Sequence, residues 1–176
     1  MKKVLILLFI FVSLLFSQSE TIQYKQWNIE KWNYIENGKN ENLLIFKAPC
    51  ISKKDNPNEN NELWIIFDKN KNQFNLNFYI DLYKSNSDNS VLNQIEIKNI
   101  EYFKINLDNK SIPIKNFEEG LIFININNVN RKIINDIQNS KKLSYELKLK
   151  NINYSIIRTF DIQYFKDLIK DYHLKL

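Results

Sequence analysis

The chain is poor in the residues that most site chemistries require. Its 176 residues include one cysteine, one histidine and two glycines. One His and one Cys cannot assemble a His/Cys metal cluster, and a lone Cys cannot close an intramolecular disulfide. His173 opens the last four residues, where a proton shuttle would lack fixed partners, so it reads as an exposed terminal histidine. Gly38 and Gly120 lie far apart and leave no GxGxxG turn, phosphate loop or GxSxG elbow, each of which gathers glycines within a few residues. No cofactor, metal or catalytic residue is expected from what remains.

Asparagine and isoleucine dominate instead, with 28 and 27 copies, both commonly specified by A/T-rich codons. A hydrophobic share of 44% and an aromatic share of 14% are high for a disordered chain and predict a packed core. Met1 to Ser19 reads as a secretory signal peptide. Lys2 and Lys3 form the basic start, Val4 to Phe16 is apolar apart from Ser13, and Ser17-Gln18-Ser19 supplies the small-x-small cleavage pattern. That apolar run is shorter than the roughly 20 residues that cross a bilayer, so no stable membrane anchor is expected after cleavage. Removing Lys2 and Lys3 takes the formal charge from +5 to +3, too weakly basic for a nucleic-acid binder. A periplasmic or secreted bacterial protein is expected, with residues 20–176 forming a single β-rich domain. Cys50, after Leu43 to Phe46 and Ala48-Pro49, is expected to be buried.

Strict alternation is the strongest pattern. Phe74, Leu76, Phe78, Ile80 and Leu82 share one strand face, and Asn75, Asn77, Tyr79, Asp81 and Tyr83 the other. Leu143, Tyr145, Leu147 and Leu149 repeat it, and shorter versions lie at 63–67, 95–97, 100–107 and 121–126. Asp68 to Asn72 is short enough for a hairpin, which predicts antiparallel pairing of the strands at Leu63 and Phe74. Trp27 and Trp32 are an odd number of residues apart on a first strand and fall on opposite faces. Two stretches change to helical period. Val129, Ile133, Ile134 and Ile137 form one face, with Asn128 as cap and Asn139 as stop; Ile162, Phe165, Leu168, Ile169 and Tyr172 form another, with Asp161 as cap and a staple between Phe160 and Phe165. The expected fold is mainly β, an antiparallel β-sandwich or open barrel of about eight strands with two short helices, one of them C-terminal.

Candidate chemistry is sparse. The acidic groups at Asp55, Glu59 and Glu62, at Glu118 and Glu119, and at Asp161, Asp167 and Asp171 sit where turns and caps place carboxylates. Asp55 to Glu62 offers oxygens for a cation but carries Pro57 and no glycine, unlike a calcium loop. Tyr79 and Tyr83, on the polar side of the best strand, together with Trp32, are the candidate binding surface, where aromatics can stack on a sugar or a peptide.

The last 70 or so residues carry an ordered pattern. The strand Glu101 to Leu107 ends in Asp108, Gly120 opens LIFINI, a helix follows Val129, then KKLSYELKL, and RTFDIQYFKDLI leads a strand into the final helix. This order resembles the C-terminal half of the invasion-associated locus B family and of related type VI secretion accessory proteins. The family's Phe-Asp/Ser-Leu-x-Gly-Phe helix start matches Phe160, Asp161, Ile162 and Phe165, with Tyr164 where the family has glycine. The paired cysteines common in that family are missing, and the matched part holds no catalytic residue. The resemblance implies a β-sandwich accessory protein of the envelope.

Three functional classes follow. The first is a non-enzymatic accessory or binding module that meets an envelope or host protein, or a glycan, through a sheet face, an edge or the Lys53 to Asn61 loop. The second is a hydrolase of envelope polymers using a carboxylate pair. The third is a small-molecule carrier with a barrel cavity.

Overall fold

The computed structural model describes residues 18–36, 39–51, 61–79, 100–108, 110–119, 123–150, 153 and 155–174. The signal segment through Ser17, Tyr83, the strand expected at 95–97 and most of the Lys53 to Asn61 loop lie outside the described residues.

Alternating apolar residues build two antiparallel sheets. β1 (Gln18–Tyr24), β2 (Trp27–Glu36), β3 (Lys39–Pro49), β4 (Glu62–Asp68) and β5 (Gln73–Tyr79) pair in sequence order. β9 (Phe123–Ile126) and β8 (Glu118–Glu119) complete this seven-stranded sheet on the far side of β5. The second sheet has the order β11 (Ser155–Asp161), β10 (Lys142–Leu149), β6 (Ile100–Leu107) and β7 (Lys110–Pro113). Eleven strands are therefore present among the described residues rather than about eight. The surplus includes β7 and β8, four and two residues long, whose strand character comes from a partner rather than from their own pattern.

The sheets face each other as a sandwich. Phe78 of β5 packs its ring 5.5 Å from Phe103 and 5.6 Å from Tyr145, both on the smaller sheet. Leu143, Tyr145 and Leu147 are fully buried, as the alternation requires. Each such aromatic or aliphatic side chain taken from water contributes about 1.5–3 kcal/mol before entropy is charged against it. One side is seamed rather than open. After Pro49 the chain leaves the large sheet and Cys50 bridges Phe160 of β11, while Ile51 N–H donates to the Thr159 carbonyl at 2.8 Å. Cys50 is half-buried at this seam, not sealed in the core.

Four strands cannot cover seven, and the C-terminal helix fills part of the shortfall. α2 (Phe165–Asp171) lays Phe165 against Trp27, ring centroids 5.5 Å apart, and against Phe46 at 5.8 Å. Phe165 is the first helical residue, and its ring neighbours are these two rather than Phe160, so no staple forms. Asp161 is likewise not the cap. Its Oδ1 accepts the Gln163 N–H at 3.0 Å, which turns the chain three residues early, and Tyr164 holds the cap position at φ 68°. A latch fixes this corner. The Gln163 carbonyl accepts from Trp27 Nε1 and from Gln26 Nε2, both at 2.8 Å, and the Lys25 ammonium lies 3.2 Å from the centre of the Tyr164 ring.

α1 (Arg131–Gln138) buries Ile134 and Ile137. Its cap is Asn130, whose Oδ1 accepts the Lys132 N–H at 2.8 Å, while Asn128 takes φ 52° two residues earlier and donates its N–H to Asn75 Oδ1. Asn139 ends the helix as expected.

Candidate functional site

The outer face of the seven-stranded sheet, turned away from the second sheet, carries the exposed Trp32 and the half-buried Trp64 and Tyr79. Trp27 and Trp32 do fall on opposite faces of β2, Trp27 fully buried and Trp32 38% exposed. Strand β2 is therefore packed on one side only.

The register places the outer residues in parallel stripes. Trp32 stands opposite Leu43, two residues from Ile45; Ile45 stands opposite Ile66, two residues from Trp64; Trp64 stands opposite Asn77, two residues from Tyr79. Each step is a diagonal cross-strand neighbour, so Trp32, Ile45, Trp64 and Tyr79 form one straight diagonal over β2, β3, β4 and β5. The Cα atoms of its two tryptophans lie about 16 Å apart at about 8 Å per step. The same count puts Glu30, Lys47 and Glu62 on a second diagonal beside the first.

Side-chain bonding joins the stripes. Trp32 Nε1 donates to Glu30 Oε2 at 2.8 Å, and Trp64 Nε1 donates to Glu62 Oε2 at 2.7 Å. These are the same contact made twice, because Glu30-Lys31-Trp32 and Glu62-Leu63-Trp64 are two copies of Glu-x-Trp, and strand geometry puts residues i and i+2 on one face. β2 and β4 each run antiparallel to β3, so the two copies point the same way. Lys47 links them, with its Nζ 2.5 Å from Glu30 Oε1 and 4.1 Å from the centre of the Trp64 ring. The indole edges are therefore pinned, with about a third of Trp32 left to solvent.

Of the residues expected to bind, Trp32 and Tyr79 share this face, on strands β2 and β5 with two strands between them, and Tyr79 is half-buried. Tyr83 lies outside the described residues. Trp64 is the residue that connects Trp32 with Tyr79, and the repeated Glu-x-Trp is the sequence signal that marks it.

At one end of this face the charges serve the fold. Asp68 Oδ1 accepts the N–H groups of Asn70 and Lys71, both at 3.0 Å, and Lys71 Nζ lies 2.9 Å from Asp68 and 3.9 Å from Glu41. Burial pushes the Asp68 carboxyl up, but the Lys71 ammonium and the two backbone donors outweigh it and hold the group below its ordinary value. A hollow of ≈ 290 Å³ opens nearby, lined by Tyr34, Glu41 and neighbouring β2 and β3 residues.

The outer face of the smaller sheet differs. Tyr102 donates its hydroxyl to Glu146 and lies 2.9 Å from Ser155 Oγ, and Lys104 pairs with Glu146 at 2.8 Å. The hydrogen bond and charge of Lys104, followed by the Tyr102 hydroxyl, hold the Glu146 carboxyl below its ordinary value. Here the aromatic is tied into the network by its polar tip.

Carboxylate pairing is limited on the aromatic face. Glu30 and Glu62 are each engaged by the N–H of the tryptophan two residues on, and Glu30 also by Lys47, whereas a glycosidase's acid and base both face the scissile bond. Asp68 and Glu41 converge on Lys71, which pairs with Asp68 at 2.9 Å and lies 3.9 Å from Glu41. No group of His, Cys, Asp or Glu that could hold a metal ion occurs among the described residues. No family model matches this chain, nor does any curated protein or solved structure, so its functional reading rests on this aromatic face.

Proposed function

We propose that this protein is an exported, non-enzymatic binding module of the bacterial envelope, acting in the periplasm or outside the cell through the outer face of its seven-stranded sheet. The observation that carries the reading is the pair of parallel Glu-x-Trp units, joined by Lys47, whose tryptophans lie on a continuous diagonal that ends in Tyr79. Large rings held in one orientation by edge hydrogen bonds lose little further freedom when a partner covers them, which is the property of residues that dominate contact surfaces. The resemblance of the C-terminal half points the same way, to an envelope accessory protein. Tyr164 supports it in detail, since the residue standing at the family's glycine position takes φ 68°, a conformation glycine adopts without cost.

The test is retention of the mature protein on envelope material from its own host. Trp32→Ala and Trp64→Ala should each lower retention about tenfold or more, while Tyr102→Ala on the opposite face keeps it, at about 1.4 kcal/mol per tenfold. Equal retention of all three would remove the reading.

A further inference from the structure

From the same face we infer the class of its occupant: an uncharged saccharide chain that lies along the Trp32 to Tyr79 diagonal. The inference rests on the surface-contact reading and adds the ligand.

Four features of the diagonal select it. The two Glu-x-Trp units are related by translation with the same orientation, so they repeat one contact at a fixed spacing. A linear polymer that presents the same surface at intervals fits such a pair, and a compact small molecule does not span it. Next, the diagonal runs over four strands whose backbone groups are engaged in the ladders on both sides. An extended peptide binds by adding a strand to a free edge or by seating side chains in pockets, and the middle of a paired sheet offers no edge. Third, both indole N–H groups are already given to carboxylates, and Lys47 lies against one face of the Trp64 ring, so a ligand meets ring surface foremost at Trp32. The C–H face of a pyranose is a ligand surface that packs on an aromatic ring while its hydroxyls stay outward for polar partners.

The fourth feature is charge and polar supply. Glu30 and Glu62 against Lys47 leave the strip net negative, which disfavours anionic polymers such as nucleic acids or phosphate-rich chains. Beside Trp64 stand amides instead. Asn77 is its cross-strand partner and Asn125 is the partner of Asn77, and the Oδ1 atoms of both are buried with no hydrogen-bond partner among the described residues. Asn125 is held by its Nδ2 donating to Asn127 Oδ1 at 2.9 Å, whereas turning the Asn77 amide outward brings an unsatisfied acceptor to the edge of the strip, where a sugar hydroxyl donates to it.

The experiment applies the mature protein to an immobilised array of neutral and acidic oligosaccharides, from single sugars to extended chains, and in parallel to envelope material treated either with protease or with polysaccharide-degrading enzymes. The result expected is binding of extended neutral chains over single sugars, reduced about tenfold or more by Trp32→Ala, by Trp64→Ala and by Asn77→Ala, with retention that survives protease. Trp32→Phe, which keeps a ring, should keep a substantial part of the binding, and circular dichroism checks that each variant is folded. Retention that is lost with protease yet still depends on Trp32, together with an array that binds nothing, overturns the saccharide inference and leaves the surface-contact reading standing with a protein partner. Retention independent of Trp32 and Trp64 overturns both.

Discussion

The two faces of the seven-stranded sheet each carry tryptophan, and the two kinds of site are built differently. On the inner face Trp27 is fully buried, stacked on Phe165, with its N–H given to a backbone carbonyl of the segment that leads into α2. On the outer face Trp32 and Trp64 give the same N–H to a carboxylate two residues away on their own strand. In the first case the hydrogen bond joins distant parts of the chain, and the ring is consumed by packing. In the second the bond is local, contributes nothing to holding the two sheets together, and fixes a ring that is open at Trp32 and partly covered, by Lys47 among others, at Trp64. What separates a structural from a contact tryptophan here is the sequence distance of its partner.

Removing a ring from the inner face should have the largest effect on stability. Phe165→Ala empties a fully buried site between Trp27 and Phe46 and should cost about 3–5 kcal/mol, read from denaturant or thermal unfolding. A melting curve unchanged from the parent would mean that α2 does not carry the inner face of β2 and β3.

A smaller effect should come from Asp68, an outer-face residue committed to the fold. Asp68→Asn loses the ion pair with Lys71 and weakens two backbone hydrogen bonds, for about 1–2 kcal/mol. The Asp68 and Glu146 carboxyls sit below their ordinary values of 3.8 and 4.5 in the folded chain. A carboxyl depressed by folding contributes its full stabilisation above the unfolded value, and that contribution is lost as pH falls through the folded one. Stability should therefore decline from about pH 4.5 downward, and the Asp68→Asn variant should decline less steeply than the parent. An identical acid profile would show that the Lys71 pair is not formed in solution.

The smallest effect belongs to Tyr164. Its left-handed backbone costs a non-glycine residue about 1–2 kcal/mol, whereas its ring over Lys25 returns about 0.5–1 kcal/mol. Tyr164→Gly should leave stability within about 1 kcal/mol of the parent, since glycine also adds freedom to the unfolded chain. A loss of several kcal/mol would make the Lys25 clasp a principal support of the latch.

Much of this architecture can be read from period two. Leu143 to Leu149 and Phe74 to Phe78 show which side chains go inside, and the antiparallel pairing of the two strands flanking Asp68 to Asn72 follows from turn length alone. Boundaries fixed by local hydrogen bonds are less visible. Asn128 and Asn130 are the same residue type two positions apart, and the cap goes to Asn130, whose side chain accepts the Lys132 N–H, while Asn128 gives its own N–H to Asn75. Asp161 looks like a cap because acids favour that place, yet it spends its carboxylate on a turn before the helix begins. The candidate site was half legible. Trp32 and Tyr79 stand out as aromatics on polar strand faces, but the diagonal that relates them needs the register of four strands. Trp64 was hidden because its strand, ELWIIFD, reads as a nearly continuous apolar run in which the outward positions do not look polar.

The most direct test of the account sets the tryptophans of the two faces side by side. Trp27→Ala and Trp32→Ala are compared in one experiment, with the melting temperature and retention on host envelope material measured on each. The account predicts that Trp27→Ala lowers the melting temperature strongly, and that below its own transition its folded fraction still binds. Trp32→Ala should melt with the parent and lose retention about tenfold or more. A Trp32→Ala protein that melts with the parent and binds as the parent does would contradict the claim that the outer face is where this protein makes contact.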